Sequence, residues 1–287
     1  MASTKIMPAN HLKSKAKKLI EPARSLSRRI LFEYEETIST RKVSFVIAGA
    51  QKSGTTALDF FLRQHPEICM PTKKETNFFA YNFNKGTTFY HSLFPFPTRG
   101  KILGEASPSY MLCHSEAAPR IADYNPQMKL IFILKNPIDR AYSQYKMHRS
   151  KHDLRLSFEE CLEIAKQKGE KKVLNEKSGF STKTIEQYLE FGRYPEQIKT
   201  FKRFFPASQM LFLRTEDLMN KHNDVMKAIY AFLGVNGNPT QSKVIHSYQG
   251  DNISVEARKI LLNEYLCDIE ELERMLGWDL SEWKNFL

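Results

Sequence analysis

The run VSFVIAG (43–49) leads straight into Gly49-Ala50-Gln51-Lys52-Ser53-Gly54-Thr55-Thr56, and this junction limits the fold more than any other stretch of the chain. The β-branched apolar run is short enough to be a buried strand, and it stops at Gly49. From Thr55 the periodicity changes. Ala57, Leu58, Phe61 and Leu62 share one helical face, and His65-Pro66 ends it. A strand feeding a helix through a turn with glycines at 49 and 54 has the spacing of a phosphate-binding loop. Backbone amides must converge on phosphate oxygens, so the turn needs residues without bulk, and the helix N-terminus adds partial positive charge.

The same alternation continues downstream. KILGE (101–105), KLIFILK (129–135) and QMLFLR (209–214) read as further short strands. Helices are expected after Pro137, over 157–168, 184–204 and 221–233, and as one or two helices over 254–276, with Gly234 and Gly277 as stops. Strands alternating with helices predict an α/β fold, a central mainly parallel sheet flanked by helices.

The charge is uneven. The chain of 287 residues has a net charge of +11, and seven of those charges fall within residues 1–29. Leu12, Ala16, Leu19, Ala23, Leu26 and Ile30 recur at helical steps there, interrupted by Pro22. This sets off a basic N-terminal arm (1–42) from a body (43–287). Residues 11–31 offer a membrane-surface or anionic-partner contact, a transit peptide, or simply a solvated helix. No apolar run reaches the ~18 residues of a spanning helix, and no secretory signal pattern opens the chain. The four cysteines are far apart and lack a neighbouring histidine at ligand spacing, so neither a disulfide framework nor a metal site is expected. A cytoplasmic protein, peripheral to a membrane if the arm binds one, is the expectation. Basic–aromatic interleaving for nucleic acid is absent outside the arm.

Three constellations carry chemistry. In the loop, the lysine stands at 52, inside the turn, and Thr55 takes the place where nucleoside-triphosphate-hydrolysing loops put their lysine. The strands that might supply a metal-binding Asp end instead in Lys135 and Arg214. A metal-independent phosphate ligand is therefore favoured over ATP·Mg²⁺. Second, Lys135 at a strand's C-terminal end, with Arg140 and Ser143 on the next helix, can bind a second phosphate; a surface cation beside an Asn136 cap explains the stretch equally well. Third, Glu75 in Lys73-Lys74-Glu75-Thr76-Asn77-Phe78-Phe79 is either a general base or part of a solvated charge cluster.

VIAGAQKSGTTAL, KETNFF, GEASPSY and LIFILKNPIDRAYSQY occur in that order, followed by GRYPEQIKTFKRFFP, MLFLRTEDL and DIEELERMLGWDLSEW. Together they resemble the sulfotransferases that use 3′-phosphoadenosine 5′-phosphosulfate (PAPS), notably bacterial members and the domains acting on heparan-type glycans, over residues 43–283. The resemblance implies a P-loop nucleotide-binding fold and PAPS as co-substrate with no metal. It implies that Lys52, Ser53, Gly54, Thr55 and Thr56 grip the 5′-phosphosulfate, and that Lys52 neutralises the bridging oxygen as the S–O bond breaks. It also implies that Glu75 takes the acceptor proton and that Lys135 and Ser143 hold the 3′-phosphate. Tyr194 matches a recurrent aromatic without an assigned role. The acceptor would be a hydroxyl, of a carbohydrate or glycolipid. Three departures stand out: Lys135 replaces an arginine and loses its bidentate fork, Ala106 stands where glycan-directed relatives have lysine, and Asn77 where they often have histidine. The last two bear on the acceptor rather than on the donor. Lys243 and Tyr248 are candidates for a loop closing over the donor. Two other readings stay open: a P-loop kinase using ATP, and a non-catalytic nucleotide- or polyanion-binding module.

Overall fold

Successive residues of β1 (Phe45–Gly49) go to opposite sides of the sheet, and both sides are buried. Phe45 and Ile47 join one apolar cluster, and Val46 and Ala48 join the other. The computed structural model describes residues 42–95, 100–112, 116–167, 169–177, 179–237 and 253–285. The basic arm up to residue 41 and the candidates Lys243 and Tyr248 lie outside them.

Five strands form the central sheet in the order β2-β3-β1-β4-β7, where β2 is Ile68–Cys69, β3 Ile102–Ala106, β4 Lys129–Leu134 and β7 Met210–Arg214. Every pairing in it is parallel. β4 repeats the alternation of β1: Leu130, Phe132 and Leu134 face the larger cluster, Ile131 and Ile133 the smaller. A sheet buried on both faces requires such uninterrupted apolar strands. A second, antiparallel pair, β5 (Val173–Asn175) and β6 (Phe180–Ser181), lies apart.

In chain order the helices are α1 (Thr55–Arg63), α2 (Gly86–Ser92), α3 (Ala117–Tyr124), α4 (Pro137–His152), α5 (Phe158–Gln167), α6 (Thr182–Glu190), α7 (Tyr194–Lys202), α8 (Thr215–Asn220), α9 (His222–Leu233), α10 (Val255–Leu276) and α11 (Ser281–Lys284). The four expected strands are present, each within two residues of its expected ends. β2 and the β5–β6 hairpin are additions, too short to show a period. The single helix expected over 184–204 is two helices, α6 and α7. The chain turns at Gly192, where an added Cβ would stand 2.6 Å from the Tyr265 ring. Pro195 then fits the first turn of α7. The region 254–276 is one helix, capped by the Ser254 hydroxyl on the Ala257 amide and stopped by Gly277 in a left-handed turn.

In this order the first strand, β1, sits between β3 and β4. The ends of all three therefore open on the same edge, where a parallel sheet binds ligands.

Candidate active site

The loop after β1 is held by its neighbours before any ligand arrives. The Ala50 amide donates to the Ile133 carbonyl at 2.8 Å. Thr215, at the start of α8, shares its hydroxyl proton between the Ser53 and Leu134 carbonyls, at 2.6 and 3.0 Å. Gly49 leaves no room for a side chain, since a Cβ would meet Met111 Sδ at 2.5 Å. Lys52 and Gly54 both turn left-handed, with φ of 68° and 102°. Gly54 does so without strain; Lys52 does so at a cost, of the kind found at ligand-gripping turns. Thr55 and Thr56 open α1, whose N-terminus carries no side-chain cap, so its amides remain available to an anion.

Lys52 Nζ reaches across to α4 and lies 3.7 Å from Met147 Sδ. Burial is the main reason its pKa is lowered; Lys151, Lys135 and Arg140 lower it further, and Glu75 opposes them. This one amine thus feels charges of both the second and the third constellation. Arg140 is fully buried. Its guanidinium donates to Gln144 Oε1 and the Tyr188 carbonyl, and among the described residues it makes no ion pair. Its charge is left to act over distance.

Lys135 follows β4, and its carbonyl accepts from the buried Tyr194 hydroxyl at 2.8 Å. Asn136 caps α4 through the Ile138 amide, as expected of it, and Lys135 beside it is half-buried. Ser143 is half-buried on α4, one turn before Met147 and on the same face. Ser53 is buried. The Tyr194 hydroxyl is its neighbour, yet among the described residues no atom meets its Oγ in hydrogen-bonding geometry. An orphaned hydroxyl in the turn that carries Lys52 suits an anionic ligand.

Glu75 is exposed and pairs with Lys74 at 2.8 Å. It and Asn77 hold left-handed backbones, with φ of 62° and 50°. The Glu75 amide donates to the Ala106 carbonyl, which ties this loop to the end of β3.

Three contributors had no sequence signal strong enough to single them out. Thr215 and Met147 act through contacts over 162 and 95 residues of chain. Thr76, whose hydroxyl accepts from the Phe78 amide at 3.2 Å in the loop that carries Glu75, is overshadowed by its charged neighbours. For Tyr194, the position stood out and the contact supplies its task.

A sulfotransferase domain model matches residues 42–284. The chain is 31% identical over 190 residues to mouse heparan sulfate glucosamine 3-O-sulfotransferase 3B1, covering 66% of this chain and 45% of that protein. It is 34% identical over 227 residues to human bifunctional heparan sulfate N-deacetylase/N-sulfotransferase 3, covering 75% of this chain and 24% of that one. The chain thus spans less than half the length of these curated relatives. A solved sulfotransferase from Alicyclobacillus acidocaldarius matches with a TM-score of 0.73 and 27% identity, over 86% of this chain and 100% of that one. With its loop, sheet order and ordered motifs, the chain belongs to the sulfotransferase family.

Proposed function

We propose that this chain moves the sulfuryl group of PAPS onto a hydroxyl of an acceptor, and that the acceptor is a carbohydrate or glycolipid. The observation that carries the reading is the setting of Lys52: an amine in the loop after β1 that feels Lys151, Lys135 and Arg140 and, more weakly than any of them, the opposing Glu75 carboxylate. PAPS supplies an activated sulfuryl whose S–O bond breaks as the acceptor oxygen bonds to sulfur. Glu75 takes the proton that the acceptor hydroxyl gives up. Lys52 faces the oxygen on which negative charge grows, a cation already in place before the charge appears. The orphaned Ser53 hydroxyl, Gly54, Thr55 and Thr56 bind the 5′ group, and Lys135 with Ser143 binds the 3′-phosphate. Both curated relatives are named for heparan sulfate, which supports a carbohydrate acceptor.

The test is incubation with radiolabelled PAPS and a panel of heparan-type oligosaccharides, glycolipids, alcohols and phenols, with mass analysis of products. Titration calorimetry with the desulfated donor, 3′,5′-adenosine bisphosphate, accompanies it. Sulfated carbohydrate and tight bisphosphate binding are expected. Tight ATP binding with no bisphosphate binding, or Mg²⁺-dependent phosphoryl transfer, overturns the reading.

A further inference from the structure

Glu105 lies at the end of β3, fully buried. Among the described residues no cation pairs with it. A lone carboxylate in such a place is costly unless its oxygens are fully hydrogen-bonded. Four hydroxyls meet that demand. Tyr90 and Tyr110 donate to Oε1 at 2.8 and 2.6 Å, and Thr76 and Ser107 donate to Oε2 at 2.5 and 2.7 Å.

Three of these hydroxyls have a second task. The Asn77 amide donates to Ser107 Oγ at 3.0 Å, the Phe78 amide to Thr76 Oγ1 at 3.2 Å, and the Phe79 amide to the Tyr110 hydroxyl at 3.3 Å. Three successive amides thus each reach one carboxylate through one hydroxyl. A hydroxyl has one proton to give, and giving it to Glu105 turns its lone pairs toward the amide. The carboxylate fixes the direction of all three relays. These amides open the single wide helical turn Phe78–Asn82, for which Asn77 is the cap residue without a side-chain cap of its own. Glu75 is two residues before that cap. Its amide is held by the Ala106 carbonyl, and its carbonyl accepts from Asn77 Nδ2. Two left-handed non-glycine residues in three, Glu75 and Asn77, persist only if the surroundings over-determine them.

We propose that Glu105 is a positioning residue which, through the hydroxyls of Thr76, Ser107 and Tyr110, caps the turn at 77–79 and thereby holds Glu75 in its working place opposite Lys52. The role rests on the sulfuryl-transfer reading, in which Glu75 is the base. Glu105 touches neither substrate; it acts on the backbone that carries the base. Burial pushes its pKa up and each of the four hydroxyls pulls it back, as expected of a carboxylate made to serve as an acceptor inside the core.

The test is a double-mutant cycle on the full chain. Thr76→Val keeps the shape and removes one relay. It is expected to lower kcat by about 10-fold or more, while bisphosphate affinity stays within about two-fold and Thr76→Ser restores kcat. In the Glu75→Gln background, itself expected to lose about 10²-fold, the same Thr76→Val change should cost less than about two-fold, because there is no base left to misplace. If Thr76→Val does not fold, Ser107→Ala, which cuts the Asn77 relay, takes its place in the same cycle. Losses that multiply in the two backgrounds, or an unchanged kcat, overturn the positioning role while leaving the sulfotransferase reading intact. A wild-type chain that binds no bisphosphate and transfers no sulfuryl overturns both.

Discussion

The Tyr194 hydroxyl donates to the Lys135 carbonyl at 2.8 Å while lying beside the orphaned Ser53 hydroxyl. One buried phenol thus bonds the end of β4 and lies beside the loop after β1, the two arms of the proposed anion site. Tyr194→Phe keeps the ring and leaves the carbonyl without its donor, a loss of about 1–3 kcal/mol. The expected result is a lower melting temperature together with weaker bisphosphate binding by calorimetry. A variant that melts lower but binds normally would confine the phenol to packing.

Lys52 makes a prediction about protons. Burial first, and Lys151, Lys135 and Arg140 after it, hold its pKa below the ordinary lysine value. In the free protein the amine therefore loses its proton at a lower pH than an exposed lysine does. A polyanion in the site cancels the field of the cations and favours the charged form. Binding of the bisphosphate should take up a proton at alkaline pH, between the depressed and the ordinary values, and affinity should fall as pH rises through that window. Calorimetry in two buffers of different ionisation enthalpy reads the uptake directly. Lys52→Ala should abolish it and cut turnover by about 10² or more.

His148, on α4, is buried against the Tyr188 hydroxyl, 3.0 Å from its Nδ1. Its pKa is lowered to about 4, first by burial and then by His152, Lys151, Lys52 and Arg140. The folded value lies below the unfolded one, so the unfolded chain binds the proton first as pH falls. The stability this neutral ring contributes is fully present above about pH 6.5 and is lost progressively toward pH 4. Thermal melts should show that acid limb, and His148→Gln should flatten it. An identical limb in the variant would assign it to other groups.

What the sequence revealed was what is local. The loop at 49–56, the helix after Pro137 and the apolar strands follow from neighbours a few residues apart, and those parts stand where periodicity puts them. The break between α6 and α7 carries local marks, Gly192 and Pro195, that the helical periodicity over 184–204 overrode; the Tyr265 ring that leaves no room for a Cβ at 192 lies more than seventy residues on. The cage around Glu105 was equally hidden. Its hydroxyls come from residues 76, 90, 107 and 110, and a glutamate after ILG in a strand reads as an ordinary strand end until the fold closes over it. Of the candidate site, the charged groups were visible; Met147, which touches Lys52, and Thr215 and Thr76, which hold the loops that carry Lys52 and Glu75, were not.

Gly104 illustrates the same point in the core and can be tested there. It pairs with Phe45 across β1 and β3, and the Phe45 ring lies over it so closely that an added Cβ would stand 2.0 Å from Cζ. The ring cannot withdraw, because Phe45 is fully buried in the smaller cluster. Gly104→Ala is therefore overpacked and should cost about 1–3 kcal/mol, read as a lower denaturant midpoint. Phe45→Leu on its own costs stability by leaving a cavity. Combined, the two changes should cost less than their sum, because the methyl fills part of the space the ring gave up. Strict additivity would mean that the strand moves to relieve the contact and that the ring does not fix the spacing of β1 and β3.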